Sequence, residues 1–327
     1  MSDTHHDASR ATVLLSERLG ALRPRIDDAF PSMEFVIIDA DGTVPNTGRG
    51  ATALFRAGLS HDALRRVLEQ VPQLEWIHTA SAGFDWVLIP EVVERGIRLT
   101  RTAGAVDEPI AEFVLATTLA LTKRLPDFLR AQSNRSWHRD VPVGGLKGKT
   151  VVFLGAGAIG RAAARRFRPF GTRLLGSKRS PEELPEFDEV VGPDALERLL
   201  READVLVVSC PLTPETRNML DADAFRAMKA SALLVNVARG EVAVQRDLVQ
   251  ALEQGEIAGA ALDVFEVEPL PKDDPLWSLE NVIVTPHASY LGPGNEDSIF
   301  QEFVENLRRY HRGDALRNAI KSTELGY

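Results

Sequence analysis

The chain has 327 residues, of which 44% are hydrophobic and 26% charged, and its formal net charge is -9. That length accommodates two domains of ordinary size, and the composition is globular rather than disordered. The acidic balance argues against a general binder of nucleic acid or membrane surfaces, and the single cysteine, Cys210, excludes an internal disulfide or a multi-cysteine metal site.

The opening, MSDTHHDASR, is polar and lacks an apolar core, so it is not expected to act as a secretory signal. The longest apolar stretch, near 113–121, falls well short of the roughly 20 residues a membrane span needs, and a chain with one thiol suits the reducing cytoplasm. In the first hundred residues TVLLS (12–16), EFVIID (34–39), TALF (52–55), LEWIHT (74–79) and IRLT (97–100) read as strands. HDALRRVLEQ (61–70) reads as an amphipathic helix and VLIPEVVER (87–95) as a second one. This alternation predicts a parallel sheet covered on both faces. A longer helix is expected from Asp107 to about Leu125, opened by Asp107-Glu108-Pro109, with acids and a proline in its first turn. The polar segment after it, with Gly144, Gly145 and Gly148, reads as a connection.

A second alternating block runs from 150 to about 286. Its strands are TVVFL (150–154), TRLLG (172–176), DVLVVS (204–209), ALLVNV (232–237), GAALDV (259–264) and NVIVT (281–285). Helices are expected near 158–169, 194–202, 221–229 and 245–254, and a last one over about 294–312. The fold class is therefore α/β, with doubly wound parallel sheets.

Between the strand TVVFL and an alanine-rich helix stands Gly155-Ala156-Gly157-Ala158-Ile159-Gly160. A bare GxGxxG is weak evidence, but strand, glycine turn and helix in that order is the context in which backbone N–H groups and a helix N-terminus cradle a pyrophosphate. In NAD-binding units of this kind an acid about 20 residues further on holds the ribose 2′-hydroxyl. Here that place reads Ser177-Lys178-Arg179-Ser180. Two cations and two hydroxyls would attract the extra 2′-phosphate of NADP, whereas a carboxylate would repel it. The plainer alternative is a solvated basic turn, with NAD or either cofactor in use.

Three further spots follow apolar strands: Arg239 in NVARG, the acids of DVFEVEP (263–269), and His287 in NVIVTPH. Taken singly, each has an ordinary reading, as a surface arginine, a solvated acidic loop and a structural histidine. Together they place a carboxylate receptor, an acid and a histidine at strand ends on the ligand side of such a sheet.

In that order and spacing, GLKGKTVVFLGAGAIG, CPLTPETRNML, NVARG, GAALDVFEVEPLP with DPLW, and NVIVTPH resemble the D-isomer-specific 2-hydroxyacid dehydrogenase family. LEWIHTASAGFD, RGIRLTRTAG and DEPIAEFVL also resemble its substrate-domain loops and interdomain helix, so the likeness covers nearly the whole chain. The resemblance implies a Rossmann cofactor domain, about 103–290, inserted into a flavodoxin-like substrate domain made of 1–102 and 291–327. It implies a catalytic set of Arg239, Glu268 and His287, with Glu268 rather than Glu266 pairing with the histidine. It implies substrate contacts from Ala82 and Gly83, with Arg56 as a further carboxylate contact. Beside the glycine turn and the 177–180 turn, the implied cofactor contacts are Cys210, Pro211, Thr213, Val237, Ala238, Asp263 and His287.

In that assignment Arg239 clamps the carboxylate of a 2-oxo acid and polarises its ketone. His287 as imidazolium protonates the carbonyl oxygen, and the Glu268 anion favours that charged form and fixes the ring. The resemblance implies a reductase of small 2-oxo acids such as glyoxylate and hydroxypyruvate, acting as a homodimer, and the basic turn makes NADP the preferred cofactor with NAD as the other. A different class stays open: a nucleotide-sensing binding protein like the corepressors that share this fold. Of the other histidines, His78 in a strand is expected to be packed, His61 and His311 fit helix ends, and for His138 a segment that reaches the site from a partner subunit is the less favoured reading.

Overall fold

In the computed structural model the described residues are 12–137 and 139–320, so the opening tail, with His5 and His6, and the expectation for His138 lie outside them. The chain divides into two compact units, after Ala105 and after Gly292. Val106–Gly292 forms one, and the residues before and after it together form the other.

The first unit holds β1 (Thr12–Ser16), β2 (Glu34–Ile38), β3 (Ala53–Arg56), β4 (Trp76–Thr79) and β5 (Arg98–Arg101), in the order β2-β1-β3-β4-β5. Every ladder is parallel. This is the 2-1-3-4-5 order of the flavodoxin-like sheet. Alternate residues of β1 feed opposite faces. Leu14 joins Ile38, Leu54 and Ile77 under α2 (His61–Gln70), while Val13 and Leu15 join Phe35, Phe55 and Trp76 under α10 (Asn295–Arg312). α10 shares that second face with Leu19, Leu22 and Ile26 from the segment after β1. Burial on both faces is why these strands read as unbroken apolar runs.

The second unit carries β6 (Thr150–Leu154), β7 (Arg173–Ser177), β8 (Glu189–Val191), β9 (Val205–Val208), β10 (Leu233–Asn236), β11 (Gly259–Leu262) and β12 (Val282–Val284). From β8 the order is β8-β7-β6-β9-β10-β11-β12, again all parallel. That is the 3-2-1-4-5-6 dinucleotide-binding order with a seventh strand added. The order reverses between β6 and β9, and ligands of such sheets sit outside the carboxyl ends at that point.

The helices predicted over 61–70 and 245–254 appear with those bounds, as α2 and α9 (Gln245–Gln254). Elsewhere the structure amends the sequence reading. The long helix expected to Leu125 stops as α4 (Asp107–Thr122), because Arg124 turns left-handed at φ 55°, and α5 (Leu125–Ser133) starts anew with Pro126 in its first turn. α5 therefore occupies part of the stretch read as a connection. A 3-10 turn and α1 (Arg23–Ala29), and the three-residue β8, were not expected from the pattern. Short elements such as these are held by their neighbours rather than by their own periodicity.

Candidate active site

All the motifs of the second unit fall at carboxyl ends of parallel strands, and so along one edge of its sheet. The glycine turn follows β6 and opens α6 (Ala158–Phe167). Gly155 sits at φ 110°, and a Cβ on it would lie 2.5 Å from the Cys210 nitrogen. A Cβ on Gly160 would lie 2.2 Å from the Gly155 carbonyl oxygen. The chain's own packing therefore demands both glycines. Gly157 differs, because a Cβ there would meet nothing within 4 Å. It is the N-cap of α6 and supplies no side-chain cap, and the N–H groups of a first turn have no partner within their own helix. An open, donor-lined turn fits the pyrophosphate of a dinucleotide.

Beside it, the Ser177 carbonyl accepts from the Gly155 and Ala156 N–H groups at 3.1 and 2.8 Å, which ties the end of β7 to the turn. Lys178 is half-buried, while Arg179 and Ser180 are exposed. No acid stands at the strand end itself, but two carboxylates reach the turn, one from four residues beyond Lys178 and one brought by the fold. Lys178 pairs with Glu182, and an Arg179 nitrogen lies 3.7 Å from Glu215 Oε2. Glu215 is held in turn by the Thr213 hydroxyl, which donates to the same oxygen at 2.7 Å. That hydrogen bond, more than the Arg179 charge, keeps the Glu215 carboxyl below its ordinary range. Cys210 follows β9 as a free thiol, and burial pushes its pKa up to about 11.

At the other end of the edge, His287 Nδ1 lies 2.8 Å from Glu268 Oε2. Burial pushes the Glu268 carboxyl upward, but the hydrogen bond and charge of His287, with smaller contributions from the Phe265 N–H and Arg239, bring it below its ordinary value. His287 itself has φ 53°, and its N–H donates to the Asp263 carbonyl at 2.8 Å. The Asp263 carboxylate is fully buried. It accepts from the Thr285 hydroxyl at 2.6 Å, the Ala288 N–H at 2.8 Å and the Ser289 N–H at 2.9 Å. Both carboxylate oxygens of Asp263, a residue expected to line the cofactor, thus also hold the turn that presents His287.

Arg239 follows β10. The Asn236 side chain bridges its loop, donating to the Arg239 carbonyl at 3.0 Å and accepting from the Ala238 N–H at 3.0 Å. A Cβ on Gly240 would lie 1.9 Å from the Phe265 carbonyl carbon, so the arginine loop and the acidic loop touch backbone to backbone. Val237 and Ala238 are only 7% and 8% exposed. Glu266 turns the other way: its Oε1 accepts from the Gln245 N–H at 2.8 Å, and its own N–H donates to Gln245 Oε1 at 3.1 Å. That exchange caps α9 and leaves Glu268 alone on the histidine.

The D-isomer specific 2-hydroxyacid dehydrogenase NAD-binding domain model matches residues 115–289, more than half of the chain. The chain belongs to this family. It is 37% identical to a glyoxylate reductase of Korarchaeum cryptofilum over 78% of each chain. It is 36% identical to a glyoxylate reductase/hydroxypyruvate reductase of Mus musculus, over 76% of this chain and 77% of that one. The solved D-isomer specific 2-hydroxyacid dehydrogenase of Xanthobacter autotrophicus, in complex with NADPH and MES, is 31% identical with a TM-score of 0.84, covering 97% of this chain and 99% of the other. This chain is a dehydrogenase of the same family and a nicotinamide-dependent oxidoreductase, and these relatives give no support to a non-catalytic sensor.

In the dehydrogenase's first unit, Ala82 and Gly83 lie in the partly exposed loop after β4. Arg56 is only 5% exposed, and its guanidinium donates to the Leu59 carbonyl. One guanidinium nitrogen is thus held by its own loop. His78 is packed, as expected, and His61 opens α2 with a ring nitrogen 3.3 Å from the Asp85 carbonyl. Asn236, Glu182 and Glu215 were not singled out in the sequence, although NVARG begins with the asparagine. Tyr290 is another addition, 41% exposed with its ring edge-on to His287 at 6.5 Å. Among the described residues no group of His, Cys, Asp and Glu forms a metal site, and no helix is long and apolar enough to cross a membrane.

Proposed function

We propose that this dehydrogenase reduces small 2-oxo acids of the glyoxylate and hydroxypyruvate kind to D-2-hydroxy acids, with NADPH preferred over NADH. The observation that carries the reading is the 2.8 Å contact between His287 Nδ1 and Glu268, on the same sheet edge as the Arg239 loop and the glycine turn. With Nδ1 engaged by a carboxylate, Nε2 is the nitrogen left to exchange a proton with substrate. The nicotinamide, when bound, supplies the hydride to the carbonyl carbon. His287 donates its Nε2 proton to the carbonyl oxygen as negative charge builds there, and Arg239 faces the substrate carboxylate and the same oxygen. Glu268 aims the imidazole through Nδ1, and Asp263 holds the backbone that carries it. In oxidation the neutral imidazole takes the proton back.

The glycine turn would hold the pyrophosphate, with Cys210, Pro211 and Thr213 along the adenosine side and Ala238 and Asp263, beside Val237, against the nicotinamide. The carboxylate of the substrate would be met by the Ala82 and Gly83 N–H groups. NADPH preference rests on Lys178 and Arg179, with hydroxyls from Ser177 and Ser180 to donate to a 2′-phosphate. The glyoxylate and hydroxypyruvate reductases among its relatives support the substrate class. A homodimer is part of the proposal, since Leu125, Leu129, Trp137 and Val143 stand exposed on the second unit. We also place the enzyme in the cytoplasm, where a free thiol persists.

Steady-state oxidation of NADPH and NADH with glyoxylate and hydroxypyruvate as acceptors tests the reading, beside the Lys178→Ala/Arg179→Ala variant. The expected result is a tenfold or greater NADPH advantage in kcat/KM, lost in the variant, which corresponds to about 1.4 kcal/mol. An NADH preference removes the cofactor assignment. No turnover of either acid removes the substrate assignment.

A further inference from the structure

The chemistry at the second unit's sheet edge leaves one buried titratable side chain of the first unit without a role. His78 is fully buried in β4, boxed by the rings of Phe55 at 5.3 Å, Phe303 at 5.8 Å and Trp76 at 6.0 Å. Both ring nitrogens are engaged, Nδ1 with Thr100 Oγ1 at 2.7 Å and Nε2 with Thr102 Oγ1 at 3.2 Å.

The donor inventory fixes which way each bond runs. Trp76 Nε1 only donates, and it donates to Thr100 Oγ1 at 2.8 Å. The Thr100 hydroxyl then has its own proton to give, and a bare His78 Nδ1 would accept it. The Thr102 hydroxyl donates to the Thr79 carbonyl at 3.0 Å, so it accepts from His78, and Nε2 carries the proton. Burial pushes the His78 pKa down to about 3, so the ring is neutral and this tautomer stands throughout the physiological range. The Thr79 carbonyl also accepts from the Thr102 N–H at 3.0 Å. From Thr79 the sequence of bonds continues outward. Ser81 Oγ donates to the Gly83 carbonyl at 2.7 Å, so the Thr79 hydroxyl, 2.8 Å from Ser81 Oγ, donates to it. The last bond closes a small ring across the Ala82 and Gly83 peptide groups.

We propose that His78, locked with its proton on Nε2, is a positioning residue that sets the 81–83 loop to receive the substrate carboxylate, acting through Thr102, Thr79 and Ser81. The proposal rests on the reading that the Ala82 and Gly83 N–H groups bind that carboxylate. A buried histidine is suited to the task because one rigid ring joins an acceptor on one side to a donor on the other. The two amides each reproduce half of it. Asparagine can place an oxygen near Nδ1 and keep the Thr100 bond while losing the donor to Thr102. Glutamine can place an N–H near Nε2 and keep the donor to Thr102 while losing the acceptor for Thr100.

The test compares His78→Asn, His78→Gln, Ser81→Ala, Ser81→Thr and Ala82→Pro in the full chain, with NADPH and either glyoxylate or hydroxypyruvate. His78→Asn and His78→Gln should lower Tm alike, since each leaves one buried group unmatched. Only His78→Asn should raise the KM for the 2-oxo acid, by about fivefold or more, while kcat and the KM for NADPH hold. Ser81→Ala, at a partly exposed position, should raise that KM with Tm unchanged, and Ser81→Thr should restore it. Equal KM values in the two His78 variants, or a wild-type KM in Ser81→Ala, would overturn the relay. An unchanged KM in Ala82→Pro, which removes an N–H from the loop, would instead overturn the carboxylate reading on which the relay depends. Should the His78 variants fail to fold, the Ser81 pair decides the matter.

Discussion

The two ends of the second unit's ligand edge are built differently. At the histidine end, the Asp263 carboxylate is fully buried and takes three donors from the turn that carries His287, and the Gly240 backbone lies directly against that of Phe265. At the β7 end, the Arg179 and Glu215 side chains are 54% and 64% exposed and 3.7 Å apart. The first end is over-determined by buried hydrogen bonds, so a single change there is expected to be large. The second depends on solvated charges, so changes should be smaller and sensitive to salt.

The largest expected effect tests the over-determined end directly. His287→Ala removes the proton donor and should lower kcat by about 10²–10⁴-fold. Asp263→Ala removes no group assigned to the chemistry, yet it strands a hydroxyl and two N–H groups and should lose about 2–5 kcal/mol of stability as well as most of the activity. If thermal unfolding and kcat of Asp263→Ala match the wild type, the buried carboxylate does not hold the turn and the contrast between the two ends fails.

Two glycines sharpen it. Gly240→Ala forces a Cβ to within 1.9 Å of the Phe265 backbone and should cost about 3 kcal/mol or more, read as a lowered Tm or loss of soluble protein. Gly157→Ala meets nothing and should leave Tm in place. Its methyl would intrude where the pyrophosphate is proposed to approach, so the KM for NADPH should rise about tenfold or more. A cofactor KM unchanged in Gly157→Ala would move the phosphates away from this turn.

Glu268→Gln keeps an acceptor for His287 Nδ1 and deletes only the charge. The folded carboxyl sits below its ordinary value, so across any ordinary assay range the wild-type group is an anion. In the variant the imidazole that donates the proton in reduction keeps its hydrogen-bond partner but loses the facing negative charge, and kcat for reduction should fall by about tenfold. A kcat equal to the wild type would remove the Glu268 charge from this role.

Much of this arrangement was legible in the residues. The strand-turn-helix context of the glycines, and the strand ends that carry Arg239 and His287, follow from apolar runs whose period is set by burial on both faces of a parallel sheet. Helices with strong amphipathic patterns, over 61–70 and 245–254, were read with the bounds the structure shows. What escaped was set by contacts distant in sequence. The break at Arg124 depends on a left-handed residue that no local pattern marks, and β8 is a three-residue strand that exists only beside β7. Asp263 has the residue type expected for a site, yet the donors around it, which come from 285–289, make it an anchor. The same blind spot affected the basic turn, where an acid was absent from the end of β7 only in sequence.

Glu215, brought to Arg179 from the loop after β9, bears on the smallest effect expected. While that carboxylate faces the guanidinium, a 2′-phosphate must compete with it, and Glu182 sets the same competition for Lys178. Glu215→Gln keeps an acceptor for the Thr213 hydroxyl but removes the charge, so kcat/KM for NADPH should rise by about two- to fivefold and that for NADH should stay level. In the Arg179→Ala background the gain should vanish, because the two residues would act through one charge. Raising ionic strength should erode the wild-type NADPH advantage, since exposed charges are screened, while leaving NADH turnover nearly constant. An equal gain for both cofactors would mean that Glu215 repels the shared pyrophosphate rather than shielding Arg179. No gain for either would make the contact a solvated pair without bearing on cofactor choice, and the discrimination would then have to come from the hydroxyls of Ser177 and Ser180.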